Sequence, residues 1–455
     1  MPQFELETVP FLKFARKTLG DGAFFSKKPW TSAPRLDRTI RIRMSFFSRA
    51  RNLSAGFAGT FLFSLASFAQ VSLSPVGGEF APVDAMIGDQ VQPNLSLGSS
   101  GGYLVWEDNA SGRAASVINA TRLDSSFHST SIIHVNKATK GEAQKPKVQI
   151  LKDGRAVFVW QGNPLGAPDI YARFVNANGD FVTSDVRVNS YVKDTQINPA
   201  VTSLGDGALI VWQSYKQDGN FYSIHARRFS GVGAALGTEL LINQNKAFNQ
   251  RTPAVATLAN GNFVVSWVSD EQRFPNSVDI LARIFSPTGV AVGDEFRLNS
   301  NTNICANPSV APLASGGFTV VWGEKDAVSL TNSWDIVGRS FSADGLPTAP
   351  GFGINTFLYG DQFAPHIAST GDSALVVWTS LRQDGSWEGV FGRLLSGGQI
   401  AGDEFKINQT TVSRQIHPTV SSNGANKFLV NWSCFKAITS FDLFGQAYSI
   451  QNNQP

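Results

Sequence analysis

The chain has 455 residues, 42% hydrophobic and 16% charged, with 34 Phe and 10 Trp, which supplies a large core and excludes global disorder. Against 42 Gly and 21 Pro there are 3 Met, the composition of a chain with many turns and little helix. Its formal charge of +3 belongs to a basic front end: residues 1–69 carry 11 Lys+Arg and 4 Asp+Glu, and the 27 basic and 31 acidic residues left without them give −4, with no concentrated positive face of the kind a nucleic-acid partner requires.

Residues 1–43 hold no apolar run and end in the basic string Arg35 to Arg43. They are read as a non-native or untranslated extension with Met44 as the true start, the alternative being a long positive lead-in. From Met44 come Arg49 and Arg51, an apolar stretch from about Leu53 to Phe68, and the small-x-small pattern Ser67-Phe68-Ala69. This is the pattern of a signal peptide over 44–69, cleaved near Ala69. The stretch is short for a bilayer crossing, so a secreted or periplasmic protein with no stable membrane span after cleavage is expected. Cys305 and Cys434 are too few for a disulfide scaffold.

The remainder, 70–455, repeats. Pro93, Pro146, Pro199, Pro253, Pro308, Pro365 and Pro418 recur at intervals of 53 to 57 residues, and Trp106, Trp160, Trp212, Trp267, Trp322, Trp378 and Trp432 keep the same period, each closing a β-type run. A period near 50 with short β-branched and aromatic runs describes a four-stranded blade. In the fourth copy strand A is Pro253 to Leu258, B is Phe263 to Trp267, C is Asp279 to Phe285 and D is Glu295 to Asn299. Asn260-Gly261 and Thr288-Gly289 supply the hairpin turns. Proline is expected to open strand A, where its missing amide does no harm.

The seventh unit stops after strand C, while Gly77 to Val83 ahead of the first unit matches Gly293 to Asn299. Pairing first with last closes the ring and removes open edges. The expected fold is all-β: a seven-bladed β-propeller of four-stranded antiparallel blades, the last completed by the N-terminal strand.

The repeated tryptophans are expected to pack between blades. Arg173, Arg227, Arg283, Arg339 and Arg393 in strand C occur together with Asp185, Glu239, Glu295 and Glu404 in strand D, the exception being Arg339 opposite Gly351. A cross-strand C-to-D ion pair is the expected reason.

The tight hairpins occupy one face, and the D-to-A and B-to-C loops the other, where variable chemistry belongs. Aromatics lie beside acids there: Asp218 with Phe221, Asp326 with Trp334, and Asp384 with Trp387. Such pairs can hydrogen-bond sugar hydroxyls and cover a sugar's apolar face; a turn plus a packed ring is the plainer alternative. The channel mouth on this face is expected to carry Gln92, Asn94, Lys145, Lys147, Asn198, Asn307, His366 and His417, with His366 and His417 on adjacent blades. No metal site is read from these, since ligand spacing is lacking. No cofactor is called for; calcium at the Asp-Gly loops is left open, although none has the carboxylate density of a dedicated calcium loop. His128, His134 and His225 are expected on or near outer strands.

The motifs W-x-S-x-x-Q-D-G at Trp212 to Gly219 and Trp378 to Gly385, I-x-A-R-x-F at Ile280 to Phe285 and G-D-E-F-x-x-N at Gly293 to Asn299 resemble the repeat arrays of large secreted bacterial proteins. The resemblance spans about 77–448 and implies the repeat without a defined activity. Three readings follow. The first is an exported, monomeric, non-catalytic module that binds a glycan or an extracellular or envelope protein through the loop face. The second is a polysaccharide hydrolase or lyase using acids such as Asp326, Asp384 and Glu388. The third is a structural subunit of an envelope assembly. Fold alone does not choose among them.

Overall fold

The computed structural model describes residues 70–110, 115–137, 140–163, 166–326 and 333–453; the signal segment and the extension before it lie outside the described residues. Strands of these residues form seven antiparallel sheets. The innermost strands, Gly88–Gly98, Ala143–Ile150, Gln196–Leu204, Gln250–Thr257, Ile304–Pro312, Gln362–Thr370 and Gln415–Ser422, each pack on the next, and the last packs on the first. The fold is a seven-bladed β-propeller. In blade 4 the order is Gln250–Thr257, Phe263–Asp270, Val278–Phe285, Phe296–Arg297. Strand D is shorter than the motif Glu295 to Asn299, because only Phe296 and Arg297 join the ladder.

Blade 7 combines Gln415–Ser422, Lys427–Lys436 and Ser440–Asn453 with the N-terminal strand Gln70–Phe80. That strand runs antiparallel to Ser440–Asn453 from Gln70 opposite Asn453 to Phe80 opposite Gly445. It begins seven residues before Gly77, ahead of the motif that marks it in the sequence. Phe80 faces Gly445 as Phe296 faces Ala282 in blade 4, so the closing strand occupies a true strand-D position.

Blades are held by apolar seams. Strand B of blade 4 is buried along nearly its whole length, and a strand covered on both faces needs the unbroken apolar run that Phe263-Val-Val-Ser-Trp267 provides. Trp267 packs with Leu209, Val211 and Ile224 of blade 3, Trp212 with Val157 and Phe174 of blade 2, and Trp106 with Leu429 and Leu443 of blade 7. All seven repeated tryptophans are buried. Each buries an area of roughly 150–250 Å², and the apolar term this provides replaces the disulfide that is absent: Cys305 and Cys434 are free and buried, in blades 5 and 7.

The repeated proline does not open its strand. Strand A of blade 4 starts at Gln250, three residues earlier, and the ladder steps from Arg251 opposite Val268 to Ala254 opposite Ser266, leaving Thr252 and Pro253 together across from Trp267. All seven pre-proline residues are left-handed: Gln92, Lys145, Asn198, Thr252, Asn307, Ala364 and His417 have φ between 51° and 56°. This bulge places the proline, which has no amide to donate, where no ladder bond is asked of it. Left-handed backbone before proline is strained, on the order of 1–3 kcal/mol per site. In three blades the side chain after the repeated Trp supports the strained amide from the preceding blade: Glu107, Gln161 and Gln213 accept from the N–H of Lys145, Asn198 and Thr252 at 3.3, 2.9 and 2.7 Å.

The expected C-to-D ion pair is not what joins arginine and acid. Arg173, Arg227, Arg283, Arg339 and Arg393 donate through Nη1 to the carbonyls of Val135, Val188, Ile242, Leu298 and Ile354, at 2.7 to 3.0 Å. Each carbonyl belongs to the preceding blade. The acids reach back as well: Glu295 accepts from Gln244 N and Asn245 N, Asp185 from Lys137 N, and Glu79 of the closing strand from Gln409 N and Thr410 N. Both charges satisfy backbone groups across the seam, which is stronger than a neutral hydrogen bond. Units with Arg173, Arg227, Arg283 and Arg393 carry the acid as well because both residues bind the preceding unit.

Candidate functional site

Strand A leaves the loop face and strand B returns to it, so the B-to-C and D-to-A loops form one rim around the channel mouth. The D-to-A corners are braced from below. Asn189, Asn243, Asn299, Asn355 and Asn408 accept from amides of the second or third residue of strand C, at Ile170, Ile224, Ile280, Ile336 and Val390. Gln196, Gln250, Gln362 and Gln415 donate to the carbonyl three residues back, at Lys193, Ala247, Tyr359 and Val412. In blade 5 the glutamine position is Cys305, and Glu324 makes the compensating contact: Trp322 donates its indole N–H to Glu324 Oε2 at 3.0 Å, where Trp267 of blade 4 donates to Gln250.

The Q-D-G loops prove to be part of this frame. Gln217 donates to Glu239 at 2.6 Å, Gln272 to Glu295 at 2.9 Å, and Gln383 to Glu404, so each glutamine holds a seam acid. Asp218 Oδ1 accepts from Asn220 N, and Asp384 Oδ1 from Ser386 N while its Oδ2 accepts from Asn408 Nδ2. Both aspartates cap their own turns. Glu388 is taken up in a two-point ion pair with Arg414, 2.9 Å at each contact. Asp384 and Glu388 are therefore occupied by structure, while Asp218 keeps a buried Oδ2 without a partner.

The aromatics divide. Phe221 and Trp387, equivalent in blades 3 and 6, are 51% and 56% exposed, each presented by a turn that returns its carbonyl to a left-handed residue, Lys216 or Arg382. Arg382 lies over the Trp387 ring. Trp334 is half-buried: its backbone carbonyl accepts from Gln362 N and its ring lies against Gly323. Phe248, Phe274, Tyr359 and Phe435 were not singled out in the sequence, yet they are exposed on the same rim. Asp326 borders a cleft of about 200 Å³ with Glu324, Asp335, Asn303, Asn355 and Leu358. Burial raises the Asp335 carboxyl, opposed by the Asn355 hydrogen bond and reinforced by the charges of Glu324 and Asp361. Glu324 is held by Asn301, Asn303 and Trp322.

His366 and His417 lie lower, in strand A. Val420 N donates to His366 Nδ1 at 3.2 Å, so the proton sits on Nε2. Gln92 Nε2 donates to His417 Nε2 at 3.3 Å, which puts its proton on Nδ1, a buried atom without a partner. Burial, then the positive charge of Lys147, depresses them to about 3 and about 4, so both are neutral at pH 7. His225 lies in strand C, next to the outer strand as expected, but it is buried and stacked on Trp212, and burial lowers it to about 4. Among the described residues no group of three or more His, Cys, Asp or Glu is arranged to hold a metal ion, and no helix is long and apolar enough to cross a membrane.

No family model matches the chain, and no curated protein matches it. Solved structures do resemble it. They include an ulvan lyase of a new polysaccharide-lyase family (TM-score 0.54, 9% identity, 82% of this chain and 95% of that one) and the polysaccharide lyase Uly1 (0.52, 10%, 84% and 100%). A third is a protein of unknown function from Dyadobacter fermentans (0.50, 12%, 70% and 97%). At such identities the likeness is one of fold, and it agrees with the propeller described above.

Proposed function

We propose that the protein is an exported, non-catalytic binding module that recognises a glycan through the rim of B-to-C and D-to-A loops. One observation carries this reading: Phe221, Phe248, Phe274, Tyr359, Trp387 and Phe435, the exposed aromatic side chains of the described residues, all lie on that rim. Aromatic faces match the C–H faces of sugars, and the amides and acids of the same loops match hydroxyls. The repeat motifs and the signal segment support a place among secreted bacterial repeat proteins. The occupied states of Asp384 and Glu388 favour binding over catalysis by those acids. The polysaccharide lyases of like fold motivate the second reading, an enzyme acting on such a polymer.

The test is a glycan array probed with the purified protein, with and without a calcium chelator, followed by Phe221→Ser and Trp387→Ser. Specific binding lost in both variants is the expected result. A folded protein that binds no glycan, or binds equally well with both rings removed, sinks the reading, and cleavage of a bound polysaccharide replaces it with the enzyme.

A further inference from the structure

Inside the ring, the residues flanking the buried prolines line the channel in two layers. The left-handed layer is Gln92, Lys145, Asn198, Thr252, Asn307, Ala364 and His417. The layer after the prolines is Asn94, Lys147, Ala200, Ala254, Ser309, His366 and Thr419. Neither layer contains a carboxylate. The two lysines and two histidines all come from blades 2, 6 and 7, while blades 3, 4 and 5 contribute amides, hydroxyls and methyl groups.

The hydrogen bonding of this arc is one-sided. Lys145 donates to Asn198 Oδ1 at 2.7 Å, and its backbone amide rests on Glu107, whose charge it also faces. Lys147 is neither exposed nor paired with a carboxylate, since the ion pairs of the described residues lie elsewhere. His366 and His417 spend their unprotonated nitrogens as acceptors, toward Val420 N and Gln92. What they leave open is N–H. Lys147, His366 and His417 all stand on innermost strands of the ring, Lys147 and His366 in the layer after the prolines and His417 in the left-handed layer, so they share one channel. An ammonium and two imidazole N–H groups on the channel wall make a donor set, and a partly desolvated cation without a counterion is unfavourable until an anion joins it.

We propose that the channel binds a small oxyanion, a phosphate, a sulfate or a carboxylate, on Lys147 with His366 and His417 as neutral donors. Burial and the neighbouring charge of Lys145 lower the Lys147 ammonium to about 8, in keeping with a cation that lacks its partner. The site is separate from the aromatic rim, so the failure of either reading leaves the other standing.

The experiment titrates inorganic phosphate, sulfate and acetate separately into the purified protein in low-salt buffer at pH 7. Binding is followed by calorimetry, and the imidazole C–H resonances by NMR. We expect saturable binding of at least one of the three, at least tenfold weaker in Lys147→Met. The resonances of His366 and His417 should shift while that of the exposed His128 does not. Without anion, Lys147→Met should melt higher than the parent, which also reports that it folds. Lys147→Gln takes its place if it does not fold. Binding of phosphate or sulfate alone assigns a tetrahedral anion, and of acetate alone a carboxylate such as a uronate's. No saturable binding of any of the three, or equal binding with Lys147 replaced, overturns the proposal.

Discussion

The two faces of the ring are built from the same strands, yet they spend their apolar surface differently. On the hairpin face the exposed large side chains are aliphatic, among them Val232, Val290, Val292, Leu346 and Ile400, and the turns press on the neighbouring blade. A Cβ at Gly289 would stand 2.7 Å from Leu240 of blade 3, and one at Gly345 would stand 2.6 Å from Phe296 of blade 4. On the loop face a Cβ at Gly219 or Gly385 meets nothing within 4 Å, and exposed aromatic rings stand there beside exposed aliphatics such as Leu358, Val412 and Ile438. The difference teaches where variation is tolerated. A C-to-D hairpin is part of the seam to its predecessor, so its length and its glycine are set by packing, whereas the glycine tip of a B-to-C loop meets no neighbour, although Gln217 and Gln383 of the same loops hold seam acids.

Substitutions break or sharpen this contrast in a definite order. Trp267→Ala should remove the frame under both faces, costing about 3–5 kcal/mol in chemical denaturation, since the ring is fully buried between blades 3 and 4. Gly345→Ala should cost about 2–3 kcal/mol, combining a φ of 81° with the clash on Phe296. Gly385→Ala, at φ 89° in open space, should cost only about 1 kcal/mol; equal losses at the two glycines would mean that the hairpin tip carries no seam. Arg283→Met should cost roughly 1.5–3 kcal/mol, because it abandons the carbonyls of Ile242 and Gly293. Trp387→Ser should change stability by less than about 0.5 kcal/mol, its effect appearing in binding.

A pH measurement adds to the set. Burial raises the Glu107 carboxyl to about 7 from the ordinary 4.5. The folded protein therefore binds more protons than the unfolded chain between those values, and this group costs stability increasingly as pH rises through that window. Glu107→Gln, which keeps an acceptor for Lys145 N, should stabilise the protein more at pH 8 than at pH 5 in paired melting curves. An equal gain at both values would show that the carboxylate is not desolvated.

The period of proline and tryptophan, the turn dipeptides and the matching end motifs carry the fold, because a repeat multiplies each weak local signal seven times. Periodicity is blind to one thing. Arg283 and Glu295 recur together whether they bind each other or both bind the preceding unit, since every unit has the same neighbours. That is why the pairing read from co-occurrence fails in the structure. The Q-x-x-P spacing at Gln90, Gln196, Gln250, Gln362 and Gln415 was visible and marks the braces of the loop corners. The left-handed residues before proline were not visible, because glutamine, lysine, threonine and alanine carry no preference for that region. Of the candidate binding residues, Phe221 and Trp387 are presented to solvent, while Asp218 and Asp384 each spend one oxygen on capping a turn.

The pairing of Gln70–Phe80 with Ser440–Asn453 has a temporal side. The first of the described strands to leave the ribosome is the last to find its partner, and it waits as an unsatisfied edge while some 370 residues follow, the separation spanned by Gly77 and Gln446. Closure over such a distance is slow, and during the delay the strand of one molecule can complete the ring of another. Raising the protein concentration during refolding should therefore raise the share of exchanged dimer.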